Sequence, residues 1–225
     1  MDRHPPPVKP ARAYDATGRR ARAERTRTAL LDAALARFLA QGYAATTVES
    51  IADDVRVSVA TIYKGYGGKT GLVRALCERA LAGEGPVPAE RRSDDLQAAE
   101  RDPRRVIEGW GHLIAEVAPR IAPILLLVRA AAATDPDAAD LAAELDSNRL
   151  DRMAHNARAL ARSGRLRPGL TRRDVRDVLW LYSAPELYEL LVRRRRWSHA
   201  RLARFVTDAM THALLPDGPE PGPPA

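Results

Sequence analysis

The sequence predicts an all-α protein, and three observations carry this prediction. Apolar residues recur at helical spacing in successive segments between residues 31 and 210, and Ser, Thr or Pro stands at the start of several of them. No stretch alternates apolar and polar residues as a half-buried strand does, and no internal repeat is visible. With 45% hydrophobic residues among 225, the chain can bury a core of its own.

Composition narrows the possible partners and compartments. No apolar run reaches the length of a membrane span, and no apolar signal region opens the sequence. The single cysteine, Cys77, excludes an intramolecular disulfide and suits a reducing cytoplasm. Residues 1–80 carry 14 Lys and Arg against 8 Asp and Glu, which accounts for six of the seven net positive charges. This asymmetry favours an anionic partner at the N-terminal end, although a solvated surface explains an excess of this size equally often.

The first segments predict a disordered tail followed by a basic helix. Residues 1–18 contain four prolines and almost no apolar side chains, so they cannot bury enough surface to become ordered. The next helix is predicted from the spacing of Leu31, Leu35 and Phe38, and it ends near Gly42. Because cations are mildly unfavourable at a helix N-terminus, its basic start favours contact with phosphate groups over a plain solvated surface. The arginines at this start are Arg19, Arg20, Arg22, Arg25 and Arg27.

Residues 46–70 predict a helix-turn-helix. Thr46 and Glu49 have the spacing of a capping box, so a short helix with one apolar face is expected to begin there. Ser58 is a second N-cap candidate, and it opens a short polar helix of the kind that a major groove accepts. Three glycines are expected to end that helix. The apolar face is Val48, Ile51, Ala52 and Val55, the exposed residues are Ala60, Thr61, Tyr63 and Lys64 around an inward Ile62, and the glycines are Gly65, Gly67 and Gly68.

The rest of the chain predicts a second helical unit. The first unit is expected to span residues 19–82 and to be joined by a linker at 83–101, rich in glycine, proline and charge, to a second unit at 102–215. Residues 216–225 predict another disordered tail. Helices of the second unit are predicted from Pro103 to Ala118, from Ile124 to Ala133, from Asp137 to Ser163, from a Thr171 and Asp174 cap to about Arg194, and from Ser198 onward, with breaks at Pro119, Pro123 and Pro185.

The first unit resembles the DNA-binding region of the TetR family of bacterial transcriptional regulators over roughly residues 19 to 80. Two positions depart from the family pattern: Val55-Arg56 replaces the usual Ala-Gly, and Tyr66 replaces Phe. Because Arg56 takes positive φ less readily than glycine, the turn is expected to be shifted or mildly strained. The residues that carry the resemblance are Phe38, Gly42, Tyr43, Thr46, Thr47, Val48, Ile51, Ala52, Val57, Ser58, Thr61, Tyr63, Tyr66 and Lys69.

The resemblance implies an N-terminal three-helix helix-turn-helix DNA-binding domain and a C-terminal helical ligand-binding and dimerisation domain. Its implied function is that of a cytoplasmic homodimeric repressor, which binds an inverted-repeat operator in double-stranded DNA and is released by a small molecule. No cofactor, metal ion or membrane is implied. The residues that would contact DNA are Arg19, Arg20, Arg22, Thr47, Ser58, Ala60, Thr61, Tyr63, Lys64 and Lys69.

The family layout also implies a ligand cavity and a dimer interface in the second unit. Aromatic and aliphatic residues dominate the implied cavity, which favours a hydrophobic or aromatic effector. The interface set is equally compatible with the core of one subunit, and residues of the cavity set are more often plain core than ligand contacts. The implied cavity residues are Trp110, Leu113, Ile114, Val117, Leu126, Arg129, Met153 and Trp180, and the implied interface residues are Leu187, Leu190, Leu191, Leu202, Phe205, Val206 and Met210.

Catalytic and metal-dependent functions find little support in the sequence. Gly68-Lys69-Thr70 ends like a phosphate-binding loop but lacks both the upstream glycine and the preceding strand. The five histidines are scattered without metal-ligand spacing, and no nucleophile elbow is present. The competing hypothesis is an all-α enzyme or interaction module whose basic N-terminal end is incidental. It leaves unexplained why caps, apolar face, turn and polar helix coincide within 25 residues.

Overall fold

The computed structural model describes residues 16–83, 85 and 87–217, and over these residues the predicted all-α fold is confirmed. The two predicted tails lie almost entirely outside them, and the first helix already begins at Ala16. The helices are α1 (Ala16–Ala45), α2 (Val48–Val55), α3 (Val59–Tyr66), α4 (Lys69–Ala82), α5 (Ala89–Ala99), α6 (Pro103–Ala131), α7 (Pro136–Ala161), α8 (Arg172–Tyr182), α9 (Pro185–Tyr188), a π-helical segment (Glu189–Arg194) and α10 (His199–Leu214).

The helix-turn-helix has the predicted order, with one correction at its first cap. Thr47, not Thr46, is the N-cap of α2, and its hydroxyl accepts a hydrogen bond from the Ser50 amide. Thr46 is fully buried and donates its hydroxyl to the Gly42 carbonyl at 2.8 Å. Gly42 interrupts α1 with a φ of 84°, so the chain bends there and places Thr46 inside the head. The predicted capping box between Thr46 and Glu49 is therefore wrong.

The turn between α2 and α3 is not shifted by its arginine. Arg56 takes the left-handed conformation itself, with φ of 54° and ψ of 46°, and its amide bonds back to the last turn of α2. A side chain in this region costs roughly 1–2 kcal/mol relative to a right-handed conformation, so the turn stores strain that glycine would not. Ser58 caps α3 as predicted, and Gly67 ends it with a φ of 75°. Gly65 is a helical residue of α3 and does not end it.

The core of the N-terminal head continues into the second half of the chain. Phe38, Ile51, Ile62 and Leu72 are fully buried where α1 to α4 meet. The same cluster includes residues from the end of α6 and the start of α7. The residues from these later helices are Ile124, Val128, Ala131, Ala138 and Leu141. The predicted unit boundaries stay predictions, but a shared core joins the head directly to the body.

The structure adds a helix to the middle of the chain and lacks a break that the sequence predicted. The segment 83–101 contains α5, whose Ala89 and Ser93 are buried against the body, so it is not only a linker. The expected break at Pro119 and Pro123 is absent, because α6 runs through both prolines. Each proline removes one backbone donor from the helix. We attribute the continuity to packing, since α6 is buried along its length against α1, α4, α7, α9 and α10.

In the last third of the chain, helices begin and end near the capping residues and proline that predicted them. Thr171 and Asp174 form the predicted capping box at the start of α8. The helix ends at Tyr182, and the chain restarts at Pro185, as expected from a residue that cannot continue a helix. Ser198 caps α10 by accepting from the Arg201 amide. A second core forms here from α6, α7, α8 and α10 around Trp110, Leu160, Leu179 and Val206.

An ion pair between α1 and α2 makes the head sensitive to acid. The Arg37 guanidinium donates two hydrogen bonds to Asp54, one of 2.7 Å, and lowers the pKa of that carboxyl below its usual range. A carboxyl whose folded pKa is depressed stabilises the fold above its unfolded pKa and loses this contribution as pH falls through the folded pKa.

We therefore expect Asp54→Asn to lower the unfolding midpoint in denaturant slightly at pH 7, and the difference from wild type to shrink as pH falls through the depressed pKa of Asp54. Asp53→Asn is the control, because Asp53 makes no ion pair among the residues that the structure describes. A difference that stays constant down to pH 2 would contradict this linkage.

Candidate functional site

The exposed face of α3 is the first candidate site. Ile62 is fully buried and fixes the helix to the head, while Tyr63 is 53% exposed on the opposite side. Ser58 accepts a hydrogen bond from the Thr61 amide at 3.2 Å and shares a 2.8 Å hydrogen bond with the Thr61 hydroxyl. Ala60 and Lys64 are exposed beside them. A rigid helix thus presents a small methyl group, hydroxyls, an aromatic ring and a cation to solvent, which are the groups that read base edges and phosphates.

A cavity inside the body is the second candidate site. Its volume is about 560 Å³, within the range of pockets that hold drug-sized molecules. Helices α4 to α10 all contribute to its wall, and most of the wall is apolar. Trp110 and Asn156 are almost fully buried members of this wall, and the indole of Trp110 donates a hydrogen bond of 3.0 Å to the Ser93 hydroxyl.

Helix α4 connects the two candidate sites. Leu72, Val73 and Leu76 of this helix belong to the core of the head. Cys77, which directly follows Leu76, and Leu81, about one turn further on, line the cavity. A molecule that fills the cavity therefore touches the helix on which the DNA-facing head is built.

Comparison with known proteins bears on the head most directly. Residues 30–76 match the family model described as bacterial regulatory proteins, tetR family. An HTH-type transcriptional regulator of Bacillus subtilis strain 168, YvkB, described as uncharacterized, is 36% identical over 69 residues. That match covers 31% of this chain and 36% of YvkB, so it spans little more than a third of the relative. The sequence of residues 30–76 is thus that of a TetR-family DNA-binding head.

Solved structures extend the similarity in fold to the body of the chain. NalD of Pseudomonas aeruginosa, the secondary repressor of the MexAB-OprM multidrug efflux pump, aligns with a TM-score of 0.68 at 21% identity. That alignment covers 88% of this chain and all of NalD. SmeT in its complex with triclosan aligns with a TM-score of 0.62 at 22% identity, covering 89% of this chain and all of SmeT. At these identities the comparison shows the fold, which joins a helix-turn-helix head to a helical body.

The predicted DNA-contacting residues whose side chains the structure describes are exposed on the head, except for the partly buried Lys69. Arg20 and Arg22 are exposed on α1, and Thr47 is exposed at the start of α2. The side chain of Arg19 lies outside the described part of the structure. Lys69 is partly engaged within the head, because its ammonium donates to the Tyr43 carbonyl at 3.1 Å and lies 4.1 Å from the centroid of the Tyr43 ring.

Five of the eight predicted cavity residues line the cavity, and three do not. Leu126 is only partly buried and is not part of the wall. Arg129 binds Asp146 at 2.5 Å and also pairs with Glu186, so its charge is used in joining α6, α7 and α9. Trp180 stacks under the Arg149 guanidinium, 4.4 Å from its centroid. The five lining residues are Trp110, Leu113, Ile114, Val117 and Met153.

The polar part of the wall was missed from the sequence. Ser93 lies in the segment that the sequence assigned to a linker, so nothing marked it as part of a cavity. Arg149 and Asn156 lie on α7, where one face carries both charged and apolar residues and helical spacing does not select a wall residue. Burial lowers the pKa of Arg149, although Asp146 opposes this shift. Burial also raises the pKa of the Cys77 thiol to about 12, which keeps it protonated at neutral pH.

The structure buries some residues of the predicted dimer interface and leaves others exposed. Val206 and Met210 are fully buried in the core of the subunit, and Leu202 is 1% exposed and lines the cavity. These three residues cannot offer surface to a second subunit, so their assignment to an interface is wrong. Leu187 also lines the cavity, and Leu191 is partly buried against the body core. Leu190 and Phe205 remain exposed, at 48% and 38%.

Metal and membrane functions find no added support. Among the residues described, no group of three or more His, Cys, Asp or Glu side chains is placed to hold a metal ion. No helix of the described part is long and apolar enough to cross a membrane.

Proposed function

We propose that the chain is a DNA-binding repressor of transcription that acts as a cytoplasmic homodimer, binds an inverted-repeat operator and is released from it by a small hydrophobic or aromatic molecule. The proposal assigns no enzymatic activity. The observation that carries it is the shared helix α4, which packs into the head core with Leu72 and forms the cavity wall with Cys77. NalD is named as a repressor and SmeT as a triclosan complex, which supports both halves of the proposal.

DNA recognition is proposed for the exposed face of the head. Helix α3 enters the major groove, where Thr61, Tyr63 and Lys64 face base edges or phosphates. The remaining predicted contacts position the head on the backbone, because amide, hydroxyl and cationic groups bind phosphate without reading sequence. These contacts are Arg19, Arg20, Arg22, Thr47, Ser58, Ala60 and Lys69.

Dimerisation is proposed for the surface that α8, the π-helical segment and α10 leave exposed. Phe205 packs edge-to-face against Trp197 and Tyr182, with ring centroids 5.5 and 6.4 Å away, and still exposes 38% of its surface. Leu190 and Leu181 are exposed on the neighbouring elements. Two such surfaces pack about a twofold axis, so the two copies of α3 can reach successive major grooves.

Release of the operator by a ligand follows if the ligand favours one position of α4. A molecule can shift the balance between two head spacings only by binding one of them more tightly. Because Cys77 and Leu81 form part of the cavity wall, filling the cavity changes the packing of α4 directly. The filled state then holds the two heads at a spacing that no longer matches the operator.

A gel-shift experiment with DNA from around the gene itself tests this proposal. We expect a retarded complex at nanomolar to micromolar protein, and protection of two half-sites separated by about one helical turn, roughly 34–36 Å. Affinity should fall steeply on a log–log plot against salt, since Lys and Arg displace counterions from phosphates. Failure to retard any fragment, or a salt slope near zero, would remove the DNA-binding assignment.

Tyr63→Ala tests the orientation of α3. We expect operator affinity to fall about tenfold or more, while the thermal midpoint changes little because the ring is mostly exposed. Tyr63→Phe separates the contributions of the hydroxyl and the ring. If Tyr63→Ala binds operator as well as wild type does, α3 does not read DNA through this face.

A further inference from the structure

We propose that the effector of the cavity is an uncharged, largely apolar molecule with one hydrogen-bond acceptor, such as a ketone or an ester oxygen. This inference rests on the proposed function, and it specifies the ligand of that site. It follows from two uncharged donors in the cavity wall that have no acceptor among the described residues, together with the ion pairs of the arginines around them. The buried Nε of Arg149 also has no partner among those residues, but the rest of that guanidinium is held by the Trp180 carbonyl and Asp146.

The first donor is the hydroxyl of Ser93. This residue is 3% exposed and lines the cavity. Its oxygen accepts hydrogen bonds from the Trp110 indole at 3.0 Å and from the Gln97 amide at 3.1 Å. Its own hydrogen finds no acceptor within the part of the chain that the structure describes. A buried donor left unpaired is costly, so an acceptor supplied by a ligand gains the hydrogen bond in full.

The second donor is the side-chain amide of Asn156. This residue is 5% exposed and lines the cavity on the facing helix α7. The Gln97 amide nitrogen donates to the Ser93 carbonyl at 2.8 Å, which fixes the orientation of Gln97. That nitrogen also lies 3.3 Å from Asn156 Oδ1, so Asn156 must present its oxygen to Gln97. The Asn156 Nδ2 is then turned away from Gln97 and has no acceptor among the described residues.

Charges in the wall disfavour an anionic ligand. Arg74 binds Glu144 through two nitrogens, at 2.8 and 2.6 Å, and Arg152 binds Asp94 at 2.7 Å. Arg149 donates to the Trp180 carbonyl at 2.5 Å and lies 3.6 Å from Asp146. Further carboxylates in the wall have no ion-pair partner within the described chain, so a carboxylate ligand would meet net negative charge. These carboxylates are Glu78, Glu90 and Asp151.

The donors also disfavour a cationic ligand at the same position. Ser93 and Asn156 can each accept, but their oxygens already receive hydrogen bonds from Gln97 or Trp110. An ammonium group placed beside them would keep its own donors unpaired in an apolar wall. An uncharged acceptor is therefore the group that the unpaired donors favour and that the carboxylates of the wall do not repel.

A matched series of biphenyls tests the ligand class on the wild-type protein by equilibrium dialysis. The probes are 4-acetylbiphenyl, 4-ethylbiphenyl, biphenyl-4-carboxylate and 4-(1-aminoethyl)biphenyl, which differ in one substituent. We expect the ketone to bind about five- to tenfold more tightly than the ethyl compound, the gain of one hydrogen bond, and both ions to bind more weakly than the ketone. Equal binding of ketone and ethyl compound, tighter binding of either ion, or no measurable binding of any probe overturns the proposal.

Two variants locate the acceptor. Asn156→Leu and Ser93→Ala should each reduce the preference for the ketone over the ethyl compound to about twofold or less. Ser147→Ala is the matched control, because Ser147 is exposed on α7 and does not line the cavity. The thermal midpoint of each variant shows whether it is folded. If a variant is unfolded, the order in which the wild-type protein binds the four probes decides the proposal. A full ketone preference in both folded variants contradicts it.

The same probes separate this inference from the proposed function. Operator binding without any preference for the ketone would overturn the ligand class and leave DNA binding intact. A ketone preference with no loss of operator binding on addition of 4-acetylbiphenyl would uphold the ligand class and contradict ligand-induced release.

Discussion

Gly71→Ala should unfold the N-terminal head or reduce its stability by about 3 kcal/mol. Gly71 lies in the first turn of α4, where that helix passes the end of α3. A Cβ built at Gly71 overlaps the carbonyl oxygen of Tyr66, which belongs to backbone and cannot rotate away. Relief requires α4 to move away from α3. Because α4 also forms part of the head core, that movement disturbs the packing of Leu72 and Val73.

Gly65→Ala is the matched control in the same head. Gly65 lies inside α3, its conformation is helical, and a Cβ there meets nothing within 4 Å. Alanine is favoured over glycine in a helix, so this variant should be more stable than wild type by up to about 1 kcal/mol. Denaturant unfolding followed by circular dichroism measures both variants. If Gly71→Ala unfolds at the wild-type denaturant concentration, α3 and α4 do not approach as closely as described.

Local signals predicted the helix starts well when a single residue could serve as the cap. Ser58, Thr171 and Ser198 each cap the helix expected of them, because each hydroxyl stands directly before an apolar periodic segment. At Thr46-Thr47 the sequence offers two equivalent hydroxyls, and the choice depends on the bend at Gly42. That bend buries Thr46, so a feature outside the local pattern decided the cap.

Helix ends in the body were less predictable because packing overrides local preference. Pro119 and Pro123 each remove a backbone donor, yet α6 passes through them without a break. Segment 89–99 has low hydrophobicity, so nothing local distinguished α5 from a linker. Only in the fold do Ala89 and Ser93 become buried against the body.

The two candidate sites differ in how far the sequence could define them. The DNA-facing surface lies on one short helix, so the spacing of Ile62 against Tyr63 already separated the buried side from the exposed side. The cavity draws on seven helices, α4 to α10, and its polar groups come from segments far apart in sequence. Periodicity finds the apolar faces of those helices but cannot say which side chains meet across a cavity.

The same ambiguity affected the dimer interface. Leu202, Phe205, Val206 and Met210 have the spacing of one apolar helix face, and the sequence could not divide it. In the structure Leu202, Val206 and Met210 turn inward, and Phe205 lies at the edge of the face. A substitution at Phe205 can therefore test association of two subunits without disturbing the core.

Phe205→Glu should convert a proposed dimer into a monomer and reduce binding to the full operator about 100-fold or more, with little effect on binding to a single half-site. The added carboxylate would be buried between two subunits without a partner, which costs several kcal/mol. Loss of the second head then removes the gain that comes from linking two binding events. Light scattering reports the oligomeric state, and circular dichroism reports the fold.

Two further variants make this result decisive. Leu39→Glu places the same charge on an exposed apolar residue of α1, which is 52% exposed and lies in the head. It should leave the oligomeric state unchanged. Leu190→Glu, at a residue that is 48% exposed, should break the dimer without disturbing the rings that pack on Phe205. If both Phe205→Glu and Leu190→Glu remain folded dimers, the subunits associate through another surface, and the two copies of α3 are not positioned by α8 and α10.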